Sequence, residues 1–355
     1  MIKVLIVDDS PLMRRVLGEI LSEAEGFELA FARDGIEALQ MADAFSPDVI
    51  TLDVQMPRLD GLQVLERLMV ERPRPVVMVS SLTQQGAETT LNALERGAID
   101  FVPKPGGPAS LHIDELAPLV VDKVRAAAAA QPKRARALQS TSVRGRPRKT
   151  ASLARRRTFS LDTGPGLIIV GASTGGPPAL EAVLGGLPED LPWPVVVAQH
   201  MPAAFTGSLA RRLDGLCELQ VLEVIAPTVL ETGRVYIARG DADMIVSRRG
   251  ESLVALPAPS DRALRWHPSV DRLAASALAN LDASKLIGVL LTGMGDDGAA
   301  SLAAIRQAGG RTIAQSQESA VVWGMPGVLA RLGGADEILD LEKMADQIVD
   351  WISAS

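Results

Sequence analysis

The stretch GLIIVGASTGGPPAL, residues 166–180, runs a short apolar segment, Leu167 to Val170, into a turn built from Gly171, Ala172, Ser173, Thr174, Gly175 and Gly176. A Pro pair and a second apolar segment follow. The pattern is strand, tight turn, helix N-terminus. Chains use it to cradle a phosphate or to present a nucleophile at the mouth of a parallel sheet. A P-loop needs a lysine after its last glycine, and a dinucleotide fingerprint needs G-x-G-x-x-G; neither is met here. G-x-S-x-G is met, from Gly171 to Gly175, with a helix N-cap as the alternative use of Ser173.

A serine nucleophile needs a base, and the chain has only His112, His200 and His267. His200 ends the next apolar strand, in VVVAQHMP, one βα unit after Ser173. Neighbouring parallel strands would set the two side by side. His112, in the closing segment of the first domain, reads as a surface residue. His267, in RWHPSVDRL, reads as a groove residue or a cap. The base in turn needs an acidic orienter. LIGVLLTGMGDDGAA offers one, running a strong strand into a glycine turn with Asp296 and Asp297. The order Ser, His, Asp differs from that of α/β hydrolases, so either an elbow here belongs to another fold or the string is accidental. The glycines also free backbone N–H groups for an oxyanion hole.

The first 125 residues alternate strand and helix patterns, with apolar runs at Ile2–Val7, Val49–Leu52 and Val76–Val79 and weaker ones near Phe27–Phe31 and Ile99–Val102. Five βα units with short loops predict an open parallel sheet with helices on both faces. Asp8 and Asp9 end the first strand, Asp53 the third, Ser80 and Ser81 the fourth, and Lys104 follows the fifth. The carboxyl ends of such strands converge on one crevice. Clustered carboxylates repel unless a cation sits among them, and Mg²⁺ suits such a site. Asp53 could then attack a phosphoryl donor, with Lys104 and a serine hydroxyl holding the developing charge.

Residues 126–162 divide this domain from the rest. Five alanines give way to residues 131–159, rich in Arg and Lys without Asp or Glu, and the segment is read as a flexible basic linker. From 163 to 355 the alternation returns, with strand patterns at Leu167–Val170, Val195–Ala198, Leu286–Leu291, Arg311–Ala314 and Glu337–Leu339. Between Val221 and Leu256 the short runs VLEVI, RVYIA, MIVS and SLVAL predict antiparallel hairpins inserted in a mainly parallel α/β domain.

The bulk numbers fit this organisation. The 355 residues are 47% hydrophobic and 22% charged, with a formal charge of −7, which argues against general nucleic-acid binding. The one cysteine, Cys217, allows no intrachain disulfide, which suits a reducing cytoplasm. No apolar run approaches the roughly 18 residues that span a bilayer, and the N-terminus meets acids too early for a signal peptide. One local exception is Arg144-Gly145-Arg146-Pro147-Arg148, which matches the core of an A·T-rich minor-groove hook. A solvated linker is the bland account of it.

On IVDDSPLMRR, DVITLDVQMPRLDG, VVMVSS and DFVPKP, residues 1 to about 125 resemble the receiver domain of bacterial response regulators, a flavodoxin-like fold. The resemblance implies that Asp53 takes phosphate from a histidine kinase. It implies that Asp8, Asp9 and Asp53 bind Mg²⁺ with the carbonyl of Gln55, that Ser80 rather than Ser81 reports phosphorylation, and that Phe101 holds the switch-aromatic position. On VGASTGGPPAL, VVVAQHMPAAFT, IARGDADMIV, HPSVDRL, LLTGMGDDGA and TIAQSQESAVVWGMP, residues 165–352 resemble the catalytic domain of the chemotaxis protein-glutamate methylesterases, the CheB type. This implies hydrolysis of γ-glutamyl methyl esters on methyl-accepting chemotaxis receptors, with deamidation of receptor glutamines, and no cofactor for the ester chemistry. Ser173 would be the nucleophile and His200 the base. The family pattern G-M-G-x-D-G gives Asp297 the orienting role and leaves Asp296 variable, with the Met294 N–H as an oxyanion donor. His267 takes no catalytic role, its spacing from P-S-V-D differing from the family's. The resemblance also implies that the unphosphorylated receiver hinders access to the esterase. The competing reading is a phospho-regulated adaptor with a silent output domain.

Overall fold

The computed structural model describes residues 1–104, 113–130 and 166–354. The chain divides into two compact units, Met1–Gln139 and Ser140–Ser355. His112, the basic segment 131–162 and its hook-like Arg144–Arg148 core lie outside the described residues.

The first unit runs β1 (Ile2–Val7), α1 (Pro11–Glu23), β2 (Phe27–Ala32), α2 (Gly35–Phe45), β3 (Val49–Asp53), α3 (Gly61–Glu71), β4 (Val76–Ser80), α4 (Gln84–Glu95), β5 (Asp100–Pro103) and α5 (Ile113–Ala129). The strands form one parallel sheet in the order β2-β1-β3-β4-β5. Val49, Ile50 and Leu52 of β3 and Val76, Val77 and Met78 of β4 are wholly buried, as expected where helices cover both faces of a sheet. Side-chain caps start the helices: Ser10, Asp34 and Thr83 each accept a backbone N–H, and Asp60 with Gln63 makes a capping box. Ala126–Ala129 continue α5, so the unit extends past residue 125. The strand order reverses beside β1, which opens a crevice at the carboxyl ends of β1 and β3.

The second unit runs β6 (Leu167–Ala172), α6 (Gly176–Leu184), β7 (Val195–Gln199), α7 (Ala203–Leu216), β8 (Gln220–Val224), β9 (Thr228–Val229), β10 (Arg234–Ala238), β11 (Asp243–Arg249), β12 (Ser252–Ala258), α8 (Val270–Asn280), β13 (Leu286–Leu290), α9 (Ala299–Gln307), β14 (Arg311–Gln315), α10 (Met325–Arg331), β15 (Glu337–Leu339) and α11 (Leu341–Ser353). Its main sheet has the order β15-β14-β13-β6-β7-β10-β8, with every pair parallel. The hairpin expectation holds for only part of Val221–Leu256. VLEVI and RVYIA pair with each other in parallel as β8 and β10, inside the main sheet. Only β11, β12 and β9 are antiparallel. Short strands carry the same period-2 pattern whichever way they pair, so direction was invisible in the runs themselves. Helix α8 packs on β11, where Val246 N donates to Ser276 Oγ at 2.9 Å and Asn280 Nδ2 donates to Val246 O at 3.2 Å. That contact brings Asp243, at the start of β11, beside the N-terminus of α8.

Candidate active site

Strand β6 is the switch point of the main sheet: chain order runs outward from it to β7 on one side and to β13 on the other. Ser173 follows β6, His200 follows β7, and the Asp297 turn follows β13. Ala172 is in register with Gln199, so Ser173 and His200 are the next facing pair, on strands about 4.8 Å apart. Ser173 N donates to Thr292 O at 3.0 Å and its carbonyl accepts from Gly176 N at 2.7 Å, closing the turn. The turn's left-handed residue is Gly175, at φ 76, and Ser173 itself keeps an ordinary backbone. The serine is therefore presented without the backbone strain of a hydrolase elbow. Gly293 leaves the room: a Cβ there would stand 2.7 Å from Ser173 Cβ and 2.4 Å from Met325 Sδ.

His200 Nε2 meets Asp297 Oδ2 at 2.7 Å. Its other ring nitrogen, Nδ1, is buried and has no partner among the described residues. A carboxylate partner makes Nε2 the protonated nitrogen and leaves Nδ1 as a hydrogen-bond acceptor. The Ser173 hydroxyl takes no hydrogen bond among the described residues, so the serine and the histidine stand adjacent and unengaged. Gln199 braces both, its Nε2 donating to Ser173 O at 3.0 Å and to His200 O at 3.2 Å.

Asp297 is fully supplied with donors. Oδ1 accepts from Ser269 Oγ at 2.9 Å and Asp271 N at 3.0 Å, and Oδ2 accepts from Val270 N at 2.7 Å as well as from His200. It thus caps α8 in trans, at the positive end of the helix dipole. Burial works to raise its pKa, but the His200 hydrogen bond and charge and the two N–H donors outweigh it, and the carboxyl lies below its ordinary value. Asp296 is exposed and its side chain makes none of these bonds. The Met294 N–H, one residue past Gly293, has no partner among the described residues.

Several residues of this site carried no signal of their own in the sequence. Ser269 and Gln199 sat inside quoted motifs without a role. Asp243 is buried and accepts from Ser269 N at 2.8 Å, His267 Nδ1 at 2.9 Å and Arg272 Nη1 at 2.6 Å. Burial works to raise its pKa, and these donors, His267 first, bring it below the ordinary value. His267 therefore anchors the loop before α8 and does not line the crevice as a free imidazole.

The first unit gathers a different set. Carboxylate oxygens of Asp8, Asp9 and Asp53 lie within 4.8 Å of one another. Lys104 Nζ stands 2.9 Å from Asp8 Oδ2 and 2.8 Å from Asp53 Oδ2 as the counter-charge. Neither buried oxygen has an aligned hydrogen bond. Burial pushes the Asp53 carboxyl up to about 6, with Asp8 adding to the shift and Lys104 and the Gln55 N–H opposing it. Burial works against the charge on Lys104, but Asp53 and Asp8 together hold its pKa above the ordinary value. The Gln55 carbonyl accepts nothing among the described residues. Hard oxygens with one cation for three acids fit Mg²⁺. Ser80 is buried and donates to Gly86 O at 3.2 Å, whereas Ser81 is half-buried and pairs with Thr83 at 3.2 Å. Phe101 is 2% exposed, pointing into the protein, with Lys123 Nζ 5.0 Å from its ring.

Comparison with known proteins matches both units to known domains. A family model described as CheB methylesterase matches residues 168–348, and one for the response regulator receiver domain matches residues 4–114. A protein-glutamate methylesterase/protein-glutamine glutaminase of Rhodopseudomonas palustris is 50% identical over 362 residues, covering 100% of this chain and 99% of that protein. Another, of Rhodospirillum rubrum, is 52% identical over 359 residues, covering 99% and 97%. The crystal structure of the Thermotoga maritima CheB methylesterase catalytic domain superposes with a TM-score of 0.51 at 36% identity, covering 53% of this chain and 98% of that one. With a receiver unit before it and the methylesterase sheet after it, the chain belongs to the CheB methylesterase family.

Proposed function

We propose a residue-level account of how this chain works as a hydrolase. It is a protein-glutamate methylesterase/protein-glutamine glutaminase governed by a response-regulator receiver domain. A kinase partner and receptor substrates go with that pair of domains. The adaptor reading is not favoured.

Ser173 Oγ attacks the side-chain carbonyl of a receptor γ-glutamyl methyl ester while His200 Nδ1 takes its proton. The oxyanion that forms meets the Met294 N–H. His200 then gives the proton to the departing methoxide, leaving methanol and a γ-glutamyl ester on Ser173. Water attacks that ester with His200 again as base, and glutamate and free Ser173 result. With a glutamine substrate the same sequence releases ammonia. Asp297 holds the Nε2–H tautomer and supports the imidazolium at each transfer. No metal or organic group is needed at any of these steps.

In the receiver, Asp53 accepts phosphate from a histidine kinase. Asp8, Asp9, Asp53 and the Gln55 carbonyl would hold Mg²⁺, which neutralises the phosphoryl oxygens when bound. Lys104 contacts the same oxygens, and Ser80 turns from Gly86 O toward the phosphate, with Phe101 following in the buried layer. Nothing in this account calls for nucleic acid or membrane insertion. Among the described residues no helix is long and apolar enough to cross a membrane. A cytoplasmic site of action suits a kinase donor and the single cysteine.

The observation that carries the esterase reading is the buried His200–Asp297 pair beside Ser173. The test is methanol release from methylated receptor membranes, with Mg²⁺ and a small phosphodonor, for the wild type and Ser173→Ala. Release by the wild type alone is the expected result. Equal release by both would remove Ser173 as nucleophile.

A further inference from the structure

Trp266 lies at the edge of the catalytic crevice, and neither the ester chemistry nor the family motifs give it a task. Its ring stacks on the His200 imidazole with centroids 5.5 Å apart and planes 9° from parallel. The indole Nε1 reaches to Gly295, where an added Cβ would lie 3.3 Å from it. So one side chain covers the base and borders the turn that carries the Met294 N–H. The residue before it, Arg265, sets its guanidinium 4.9 Å from the indole. The residue after it, His267, is tied to buried Asp243 at 2.9 Å. Two residues further on, Ser269 joins both carboxylates, its N–H to Asp243 and its hydroxyl to Asp297. The strap from 265 to 269 is thus anchored to the same aspartate that orients the base.

We propose that Trp266 is a positioning residue for His200. Asp297 grips the imidazole at Nε2 only, and Nδ1 has no partner to fix the other end. A single hydrogen bond leaves the ring free to rock about it. A parallel aromatic face removes that freedom and keeps Nδ1 turned toward Ser173. The same face meets the imidazolium that forms in each transition state, where a cation over an indole is attracted by the ring quadrupole. That attraction is absent while the ring is neutral, so it strengthens along the reaction coordinate and acts on turnover more than on binding. The inference rests on His200 being the base, as proposed above.

The test uses the full chain, phosphorylated by a small phosphodonor, on methyl-labelled receptor membranes. Trp266→Leu removes the π face at modest volume cost, Trp266→Phe keeps a smaller one, and His200→Ala is the control. We expect Trp266→Leu to lose ~10-fold in kcat with KM within ~2-fold, and Trp266→Phe to recover to within ~3-fold of wild type. A spectroscopic readout accompanies the rates. Only three histidines need assigning, and the His200 ring C–H resonances should lie upfield through the indole ring current, relax in Trp266→Leu and return part way in Trp266→Phe. An unchanged kcat in Trp266→Leu, a loss confined to KM, or a Phe variant as slow as the Leu variant would overturn the proposal. Activity surviving in His200→Ala would instead overturn the assignment of the base, whatever Trp266 does.

Discussion

Two aspartates at the ends of parallel strands meet opposite fates in this chain. Asp297 receives four donors, two backbone N–H groups, a hydroxyl and an imidazole, and its carboxyl lies below the ordinary range. Asp53 is also buried, but only the Gln55 N–H reaches one oxygen, at 3.2 Å, and the other faces Lys104 and a second acid. Its carboxyl is pushed up to about 6. Burial alone therefore does not set a carboxylate's job. The saturated one has no lone pair to spare and can only orient a neighbour. The undersupplied one is electron-rich, crowded by like charge and ready to take a metal ion or a phosphoryl group.

That contrast can be broken by substitution. The largest effect should come from the groups that touch substrate: Ser173→Ala or His200→Ala should cost roughly 10⁵–10⁶-fold in kcat for methanol release, while Asp53 still labels with a small phosphodonor. Asp297→Asn should cost about 10³–10⁴-fold, because an amide can hold the wrong imidazole tautomer. A milder loss would mean that Asp297 only caps α8. Gly176→Ala comes next and acts on stability. Its Cβ would fall 1.9 Å from Gln199 Oε1, so urea unfolding should show about 1–3 kcal/mol of destabilisation as the brace on Ser173 and His200 is pushed aside.

The Asp53 side of the comparison is read by pH. An unfolded aspartate titrates near ~3.9, and the folded Asp53 near about 6, so the folded protein binds this proton more tightly. The stability it contributes is present below about pH 4 and is lost as pH rises through about 6. Metal-free wild type should therefore melt progressively below Asp53→Asn across that window, and Mg²⁺ should narrow the gap. A gap that does not change with pH would mean that Lys104 compensates the charge fully. The smallest effect is at Asp296→Asn, expected within ~2-fold of wild-type turnover, since the side chain is solvent-exposed and outside the network.

Much of this architecture is legible one strand at a time. Val49–Leu52 and Val76–Val79 lie within the buried strands β3 and β4, and the residues singled out after each strand end do stand at sheet edges. The strand-end rule brings His200 to Asp297 and Lys104 to Asp8 and Asp53 because parallel sheets gather their carboxyl ends. What stayed hidden is what depends on pairing direction or on distant partners. The β8–β10 pairing needs knowledge of the crossover that joins them. Asp243 sits 29 residues before Arg272 and 24 before His267, and no local pattern announces that a strand's first residue will anchor a loop beyond the next hairpin. Trp266 sits unmarked inside RWHPSVDRL, and only the fold shows which imidazole it faces.

The imidazole's orientation also has an analytical consequence. Because Nε2 is occupied by Asp297, the nitrogen left for electrophiles in the crevice is Nδ1, the one next to the ring's attachment to the chain. A substrate-like alkylating reagent trapped by His200 should therefore leave histidine substituted at the π nitrogen. Acid hydrolysis and amino-acid chromatography separate that derivative from its τ isomer. The product recovered from His200 would thus record, in a covalent mark readable without any structure, which way round the ring was held at the moment of reaction.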